Sequence, residues 1–290
     1  MPNTQALKSR IRSVKSTKQI TKAMQLVAAS KMRRAQESTK ASTPYTDAAR
    51  QLLANLSRHA SVKDHPLFTT RPVNTRLIIL IAADRGLAGA FNSNVTRLYT
   101  QERLADKQND TRTVTITVGR KASQFVGRIK DSEVIGSYQD LPDRPGSAEL
   151  NALLSTATTQ FTSGMVDAVD VIYTDFISSV IQRSTIQRLL PAGVGEAEVA
   201  SNVFSDITYE PSTEEVLAAV TSRLIGAQLY QALLDSRASE YSMRMMAMKN
   251  ATDNATDLID DLTLEMNKVR QGAITQQLSE ISGGVEALNE

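Results

Sequence analysis

Along the last third of the chain, apolar residues recur at alternating spacings of three and four: Leu217, Val220, Leu224, Ala227, Gln231, Leu234, Ala238, Tyr241, Met245, Met248, Thr252, Ala255, Ile259, Leu262, Met266, Val269 and Ala273. Fifteen of these seventeen positions are apolar over eight heptads, the exceptions being Gln231 and Thr252. A register held that long predicts a coiled-coil helix, not a helix confined to one globular layer. Pro211, Ser212 and Glu215 in "PSTEE" supply a stop, a cap and a capping-box partner for its start. At ~1.5 Å per residue, a helix from 213 to about 285 reaches ~110 Å and must project from a domain of this size.

A projecting seam needs a partner, and the N-terminal segment offers Leu7, Ile11 and Val14, then Ile20, Met24 and Val27 after a change of phase near 15–19. The phase change predicts a local stutter. Apart from Pro2 and Pro44, every proline falls between 66 and 211, which leaves both ends free to form long helices. The pattern therefore predicts an antiparallel two-helix coiled coil of residues 1–57 and 209–290, with the turns beyond Ala273 left alone. Between them, after a linker at 58–73, the stretch 74–208 alternates strand signals (75–84, 112–119, 169–176) with helix signals (92–107, 120–130, 147–163). That alternation predicts a central Rossmann-like α/β domain with a mostly parallel sheet.

Composition narrows the chemistry. The chain has 290 residues, six Phe, seven Tyr, no Trp and no Cys. This disfavours aromatic-lined pockets and base-stacking platforms, and it excludes disulfides, thiolate metal sites and a catalytic cysteine. His59 and His65 stand in the proline-bounded linker without the further ligands a zinc site needs. No run of 18 apolar residues exists, so no membrane-spanning helix is expected. Net charge is only +2, yet residues 1–40 hold ten Lys/Arg against Glu37, and residues 251–290 hold eight Asp/Glu against Lys268 and Arg270. Such polarity implies differently charged surroundings or ends that attract each other.

The loop "ADRGLAGAFN" (83–92) follows a strand and precedes a helix, where phosphate loops sit. With only Gly86 and Gly89 and no Lys-Ser/Thr, it satisfies neither nucleotide fingerprint and reads as a tight turn. Asp167, Asp170 and Asp175 read as ordinary strand edges, and no catalytic set is legible. The basic amphipathic start admits phosphate contacts with nucleic acid, an anionic membrane, a transit peptide, or an acidic protein partner. In "SMRMMAMKNATDNA" (242–255), Met245 and Met248 fall on the seam. Met243 and Met246 fall on the outer face, either as an oily patch or where a further surface packs.

"ITKAMQLVAASKMRRAQ" (20–36), "ADRGLAGAFN" (83–92), "ASEYSMRMMAMKNATDNA" (238–255) and "NKVRQGAITQQLSEI" (267–281) closely resemble the γ subunit of the bacterial-type F1Fo ATP synthase. The resemblance implies a non-catalytic rotor shaft with no cofactor, whose terminal helices turn inside a hexamer of α and β subunits. Its α/β domain would sit beside ε and the c-ring, at the cytoplasmic face of the bacterial inner membrane. The β contacts that the resemblance implies fall on Lys22, Met24, Arg244, Arg270 and Gln271, while charge and helical phase offer Lys8, Arg10, Arg12, Met243 and Met246 as candidates for further partner contacts. Lys18-Gln19 reverses the family's commoner order, and Ala88, Ala90 and Phe91 replace its frequent Cys, Gly and Leu. Two rival readings remain: an α/β nucleotide-binding enzyme with a coiled-coil arm, and a basic coiled-coil nucleic-acid binder.

Overall fold

The computed structural model describes residues 4–57, 65–193 and 213–289, with side chains of the last helix described over 220–282. The elements run α1 (Thr4–Leu56), β1 (Thr75–Ile81), α2 (Phe91–Gln108), β2 (Arg112–Val118), α3 (Arg120–Val126), β3 (Glu133–Tyr138), α4 (Ser147–Thr162), β4 (Ala168–Phe176), β5 (Gln182–Leu190) and α5 (Thr213–Asn289). They form two compact units, Met1–Ala28 with Met245–Glu290 and Ala29–Arg244, so that α1 and α5 contribute to both. His59, the Ser212 cap and the end of the expected central domain at 194–208 lie outside the described residues.

In the Ala29–Arg244 unit the five strands run in the order β3-β2-β1-β4-β5, parallel except for β5, which pairs antiparallel with β4. The run "LIILI" in β1 is apolar throughout because both faces are covered. Leu77 and Ile79 point to one side, where Leu53 and Leu56 of α1, Leu153 and Phe161 of α4, and Leu229 and Leu233 of α5 pack. Ile78 and Leu80 point to the other, against Val95 and Tyr99 of α2 and Val126 of α3. Truncating a fully enclosed member such as Ile79 to Ala costs ~2–5 kcal/mol on this packing.

β3 and β5 carry no strand signal that the hydrophobic pattern could register. β5 reads "QRSTIQRLL" and lies at the sheet edge, where most of its side chains are only half-buried. Asp170 also departs from expectation. It lies inside β4 at 2 % exposure, gripped by Arg76 (2.5 Å) and by Arg188, while Arg76 also reaches Asp106 (2.8 Å). A carboxylate this deep is tolerated because two guanidinium groups share it.

In α1, positions 7, 11, 14, 18, 21, 25, 28, 32, 35, 39, 42, 46, 49, 53 and 56 are all buried or half-buried, an unbroken alternation of fours and threes. The expected stutter is absent. Ile20 and Val27, which suggested it, are 58 % and 59 % exposed, and polar Lys18 and Thr21 hold the covered face instead.

In α5, Thr252, Ala255, Ile259, Leu262, Met266 and Val269 follow the expected seam, and residues 270–282 are exposed throughout. Over 224–242 the one-sided seam is too narrow a description. Ile225, Leu229, Ala232, Ser236 and Ser239 are buried as well, because this stretch has the sheet on one side and α1 on the other.

Candidate functional site

In a doubly wound sheet, ligands bind beyond the carboxyl ends of the strands where the strand order reverses. Here that place lies between β1 and β4. β1 ends at Ile81, so the backbone of Thr174 in β4 runs past its last β1 partner, Leu80 opposite Ile172. α5 satisfies it: the Thr174 amide donates to Ser236 Oγ (3.1 Å), and Ser239 Oγ donates to the Thr174 carbonyl (3.2 Å).

Arg237 then closes the crevice. It donates to Leu141 O (2.8 Å) and faces Asp84 (3.5 Å), whose other oxygen accepts the amides of Arg120 and Asp140, each at 3.0 Å. The space remaining among Phe91, Val118, Leu233 and Glu240 is ≈ 10 Å³. That is at most the size of one water. The loop "ADRGLAGAFN" is the tight turn the sequence suggests, with Leu87 and Gly89 at φ 62° and 55° and the Ala83 amide donating to Asn92 Oδ1 (3.0 Å).

A larger hollow of ≈ 710 Å³ lies at the opposite end of β2, among Arg103, Lys107, Arg112, Lys130 and Glu133. Two of its cations are already engaged: Arg112 pairs with Glu133 at 2.5 Å, and Arg103 donates to the carbonyls of Lys130 (3.2 Å) and Asp131 (2.7 Å). No group of His, Asp and Glu able to hold a metal occurs among the described residues, and no described helix is long and apolar enough to cross a membrane.

The expected partner contacts divide by accessibility. Arg244 is inward: its side chain is 11 % exposed, bonds Glu240 (2.6 Å) and reaches the carbonyls of Arg85 and Gly86 (3.3 Å each). Glu240 also holds Arg237 (3.1 Å), which links Arg244 to the plugged crevice. Met243 is not the outward methionine that periodicity suggests. The surface packed on it is its own chain's Ala83, Ala88 and Phe91.

In the other unit, Lys22, Arg270 and Gln271 are exposed, Met24 is half-buried and Met246 is 37 % exposed. Lys8, Arg12 and Lys22 share one exposed stripe of α1 with Lys15, which the sequence reading passed over, while Arg10 stands off that stripe. No ion pair joins the two helices among this unit's described residues, so the basic stripe and the acids Asp253, Asp257, Asp260, Asp261 and Glu265 face outward. What does join them is mainly apolar: Leu7, Ile11 and Val14 pack with Ile259, Leu262, Met266 and Val269.

A family model described as "ATP synthase" matches residues 3–288. Among relatives, the ATP synthase gamma chain of Opitutus terrae is 42 % identical over 97 % of each chain, and that of Roseiflexus castenholzii is 40 % identical over the whole of both. A chain of the Tetrahymena thermophila mitochondrial ATP synthase central stalk/c-ring structure superposes with a TM-score of 0.60 at 27 % identity, covering 80 % of this chain and 99 % of that one. A chain of the Euglena gracilis mitochondrial ATP synthase gives a TM-score of 0.69 over 98 % and 94 %, and at 18 % identity it speaks for the fold alone. With nearly every residue inside the family match and two-fifths identity sustained from end to end, the chain belongs to the ATP synthase γ-chain family.

Proposed function

We propose that this chain is the central stalk of the F1 rotor, a non-catalytic shaft that couples proton-driven rotation to the nucleotide cycle of surrounding β subunits. The observation that carries the non-catalytic part is the crevice at the carboxyl ends of β1 and β4. Ser236, Ser239 and Arg237 of α5 occupy the place where an enzyme built on a doubly wound sheet holds its ligand, leaving ≈ 10 Å³. A nucleotide has no room there.

The mechanical part rests on the helices. The continuous covered face of α1 and the matching seam of α5 after Met248 fit an antiparallel coiled coil, a form stiff enough to carry torque. The exposed stripe of Lys8, Arg12, Lys15 and Lys22 suits acidic loops on an encircling α/β hexamer. Lys22, Met24, Arg270 and Gln271 are the accessible β contacts, while Arg244 is held inward by Glu240 and the carbonyls of Arg85 and Gly86. The expected neighbours at the α/β domain are ε and the c-ring, so the membrane is met only through the complex, on the cytoplasmic side of the bacterial inner membrane.

The test is assembly. Co-expressed with α and β subunits, the chain is expected to purify as one copy per three αβ pairs, and the isolated chain is expected to bind no ATP. ATP binding by the isolated chain together with failure to enter the complex would overturn the reading.

A further inference from the structure

Within the Ala29–Arg244 unit, the interval between α1, α5 and the β4–β5 edge contains a closed polar cluster that the proposed function does not use. At its centre is Asp235, 7 % exposed, on the stretch of α5 held between the sheet and α1. From its own helix, Gln231 donates to Asp235 Oδ1 (3.0 Å), and the same amide nitrogen reaches Thr43 on α1 (3.4 Å). The other groups facing it are Thr39 and Arg50 from α1, and Tyr173 and Asp175 from β4. Arg50 is itself divided between Asp47 (3.9 Å) and Gln187 of β5 (3.3 Å), and Arg183, exposed on β5, stands opposite Asp175 in the strand register.

This cluster is short of compensation for a negative charge. No cation makes an ion pair with Asp235 among the described residues, a second carboxylate, Asp175, lies close by, and Gln231 Oε1 is a buried acceptor without a hydrogen-bond partner. A neutral acid has no such debt, and its hydroxyl adds a donor to a cluster that already holds an unsatisfied acceptor.

We propose that Asp235 is a buried protonation switch, a carboxylic acid while α1, α5 and the β4–β5 edge are packed together and a carboxylate only as that packing loosens, so that the grip of the two helices on the sheet tightens as pH falls. Burial, reinforced by Asp175, pushes the Asp235 pKa from 3.8 up to about 7, against smaller opposing effects of Gln231, Arg50 and Thr39. The folded chain therefore keeps a proton that the unfolded chain releases near pH 4. The resulting stabilisation is complete below that value, declines as pH rises, and is gone above about 7.

The experiment is hydrogen exchange on the full chain, read at α5 amides 228–242 from pH 5 to 8 after correction for the intrinsic pH dependence of exchange. Wild-type protection is expected to fall by about tenfold per pH unit up to about pH 7, as one proton is lost, and to level off above it. Asp235→Asn, which mimics the neutral acid, is expected to flatten the profile and to exceed wild-type protection at pH 8. Asp175→Asn is expected to move the wild-type decline to lower pH. A purely structural role predicts Asp235→Asn to be less protected at every pH. That result, a slope unchanged in Asp235→Asn, or a ¹³C-detected titration of the Asp235 carboxyl centred below pH 5 would each overturn the proposal.

Discussion

Thr21 of α1 and Thr252 of α5 meet hydroxyl to hydroxyl at 2.8 Å, on a seam that is otherwise mostly apolar. Thr252 donates across to Thr21, whose own hydroxyl donates to Lys18 O at 3.1 Å, and Met248 O lies 2.8 Å from the Thr252 hydroxyl. In a two-helix seam, a single polar pair of this kind disfavours sliding by a heptad, since a shifted register would bury both hydroxyls against apolar partners.

Replacing one partner leaves the other with only its intrahelical bond. Thr21→Val and Thr252→Val are each expected to cost about 0.5–1.5 kcal/mol, and the double variant less than their sum. Thermal unfolding in a double-mutant cycle checks this, and strict additivity would contradict the pairing.

Gly119 turns the chain from β2 into α3 at φ 92°, and a Cβ there would sit 2.1 Å from Ala82 O. Gly119→Ala should cost on the order of 3 kcal/mol or more, because backbone on both sides must move. Gly86→Ala, where nothing lies within 4 Å, is the matched control and should be nearly neutral. Urea midpoints of the two variants give the comparison.

Asp170→Asn leaves Arg76 and Arg188 facing a neutral amide inside β4. Removal of one side of a buried ionic cluster typically costs ~3–5 kcal/mol. Soluble expression and denaturant unfolding should both register it, and a variant as stable as wild type would mean the cluster is dispensable.

At acid pH a different carboxylate matters. Burial pushes the Asp167 pKa up, but the amides of Thr75 and Asn74 (2.9 Å each) and Arg71 (2.7 Å) outweigh it and hold the group below its usual 3.8. Its stabilisation is present above about pH 4 and is lost as pH falls through the lowered value, the opposite sign to Asp235. Asp167→Asn should shallow the acid limb of a stability-versus-pH curve, and an unchanged limb would remove Asp167 from the account.

In an assembled complex, Arg270→Ala and Met24→Ala should weaken the coupling of ATP hydrolysis to proton pumping while leaving the fold intact, since Arg270 is exposed and Met24 is only half-buried. Proton pumping and hydrolysis measured in the same vesicles provide the ratio. Unchanged coupling in both variants would remove these residues from the partner surface.

What burial writes as periodicity is legible in the sequence. β1, β2 and β4 are covered on both faces and show as short β-branched stretches, wholly apolar in β1, interrupted by Asp170 in β4 and alternating with Thr115 and Thr117 in β2, and α5 after Met248 is covered on one face and shows a heptad. The α1 register departs from its apolar pattern because Ile20 and Val27 are apolar yet exposed, while Lys18 and Thr21 are polar yet covered, and composition cannot separate these cases. Met243 was misplaced for a related reason. Helical phase gives the direction a side chain faces, and only the fold reveals that Ala83, Ala88 and Phe91 wait there. The crevice-filling role of Ser236, Ser239 and Arg237 left no signature beyond small residues three apart, which any helix can carry.

Those serines have an effect on the sheet itself. With Ser242, which donates to Ser179 O (2.6 Å), they line α5 along the far end of β4 and the turn into β5. The open backbone of Thr174 is the spot where a stray extended peptide could zip onto the protruding end of β4. Hydroxyls from a helix occupy both of its hydrogen-bonding groups first, so α5 also serves as a guard against strand addition and the aggregation that follows from it.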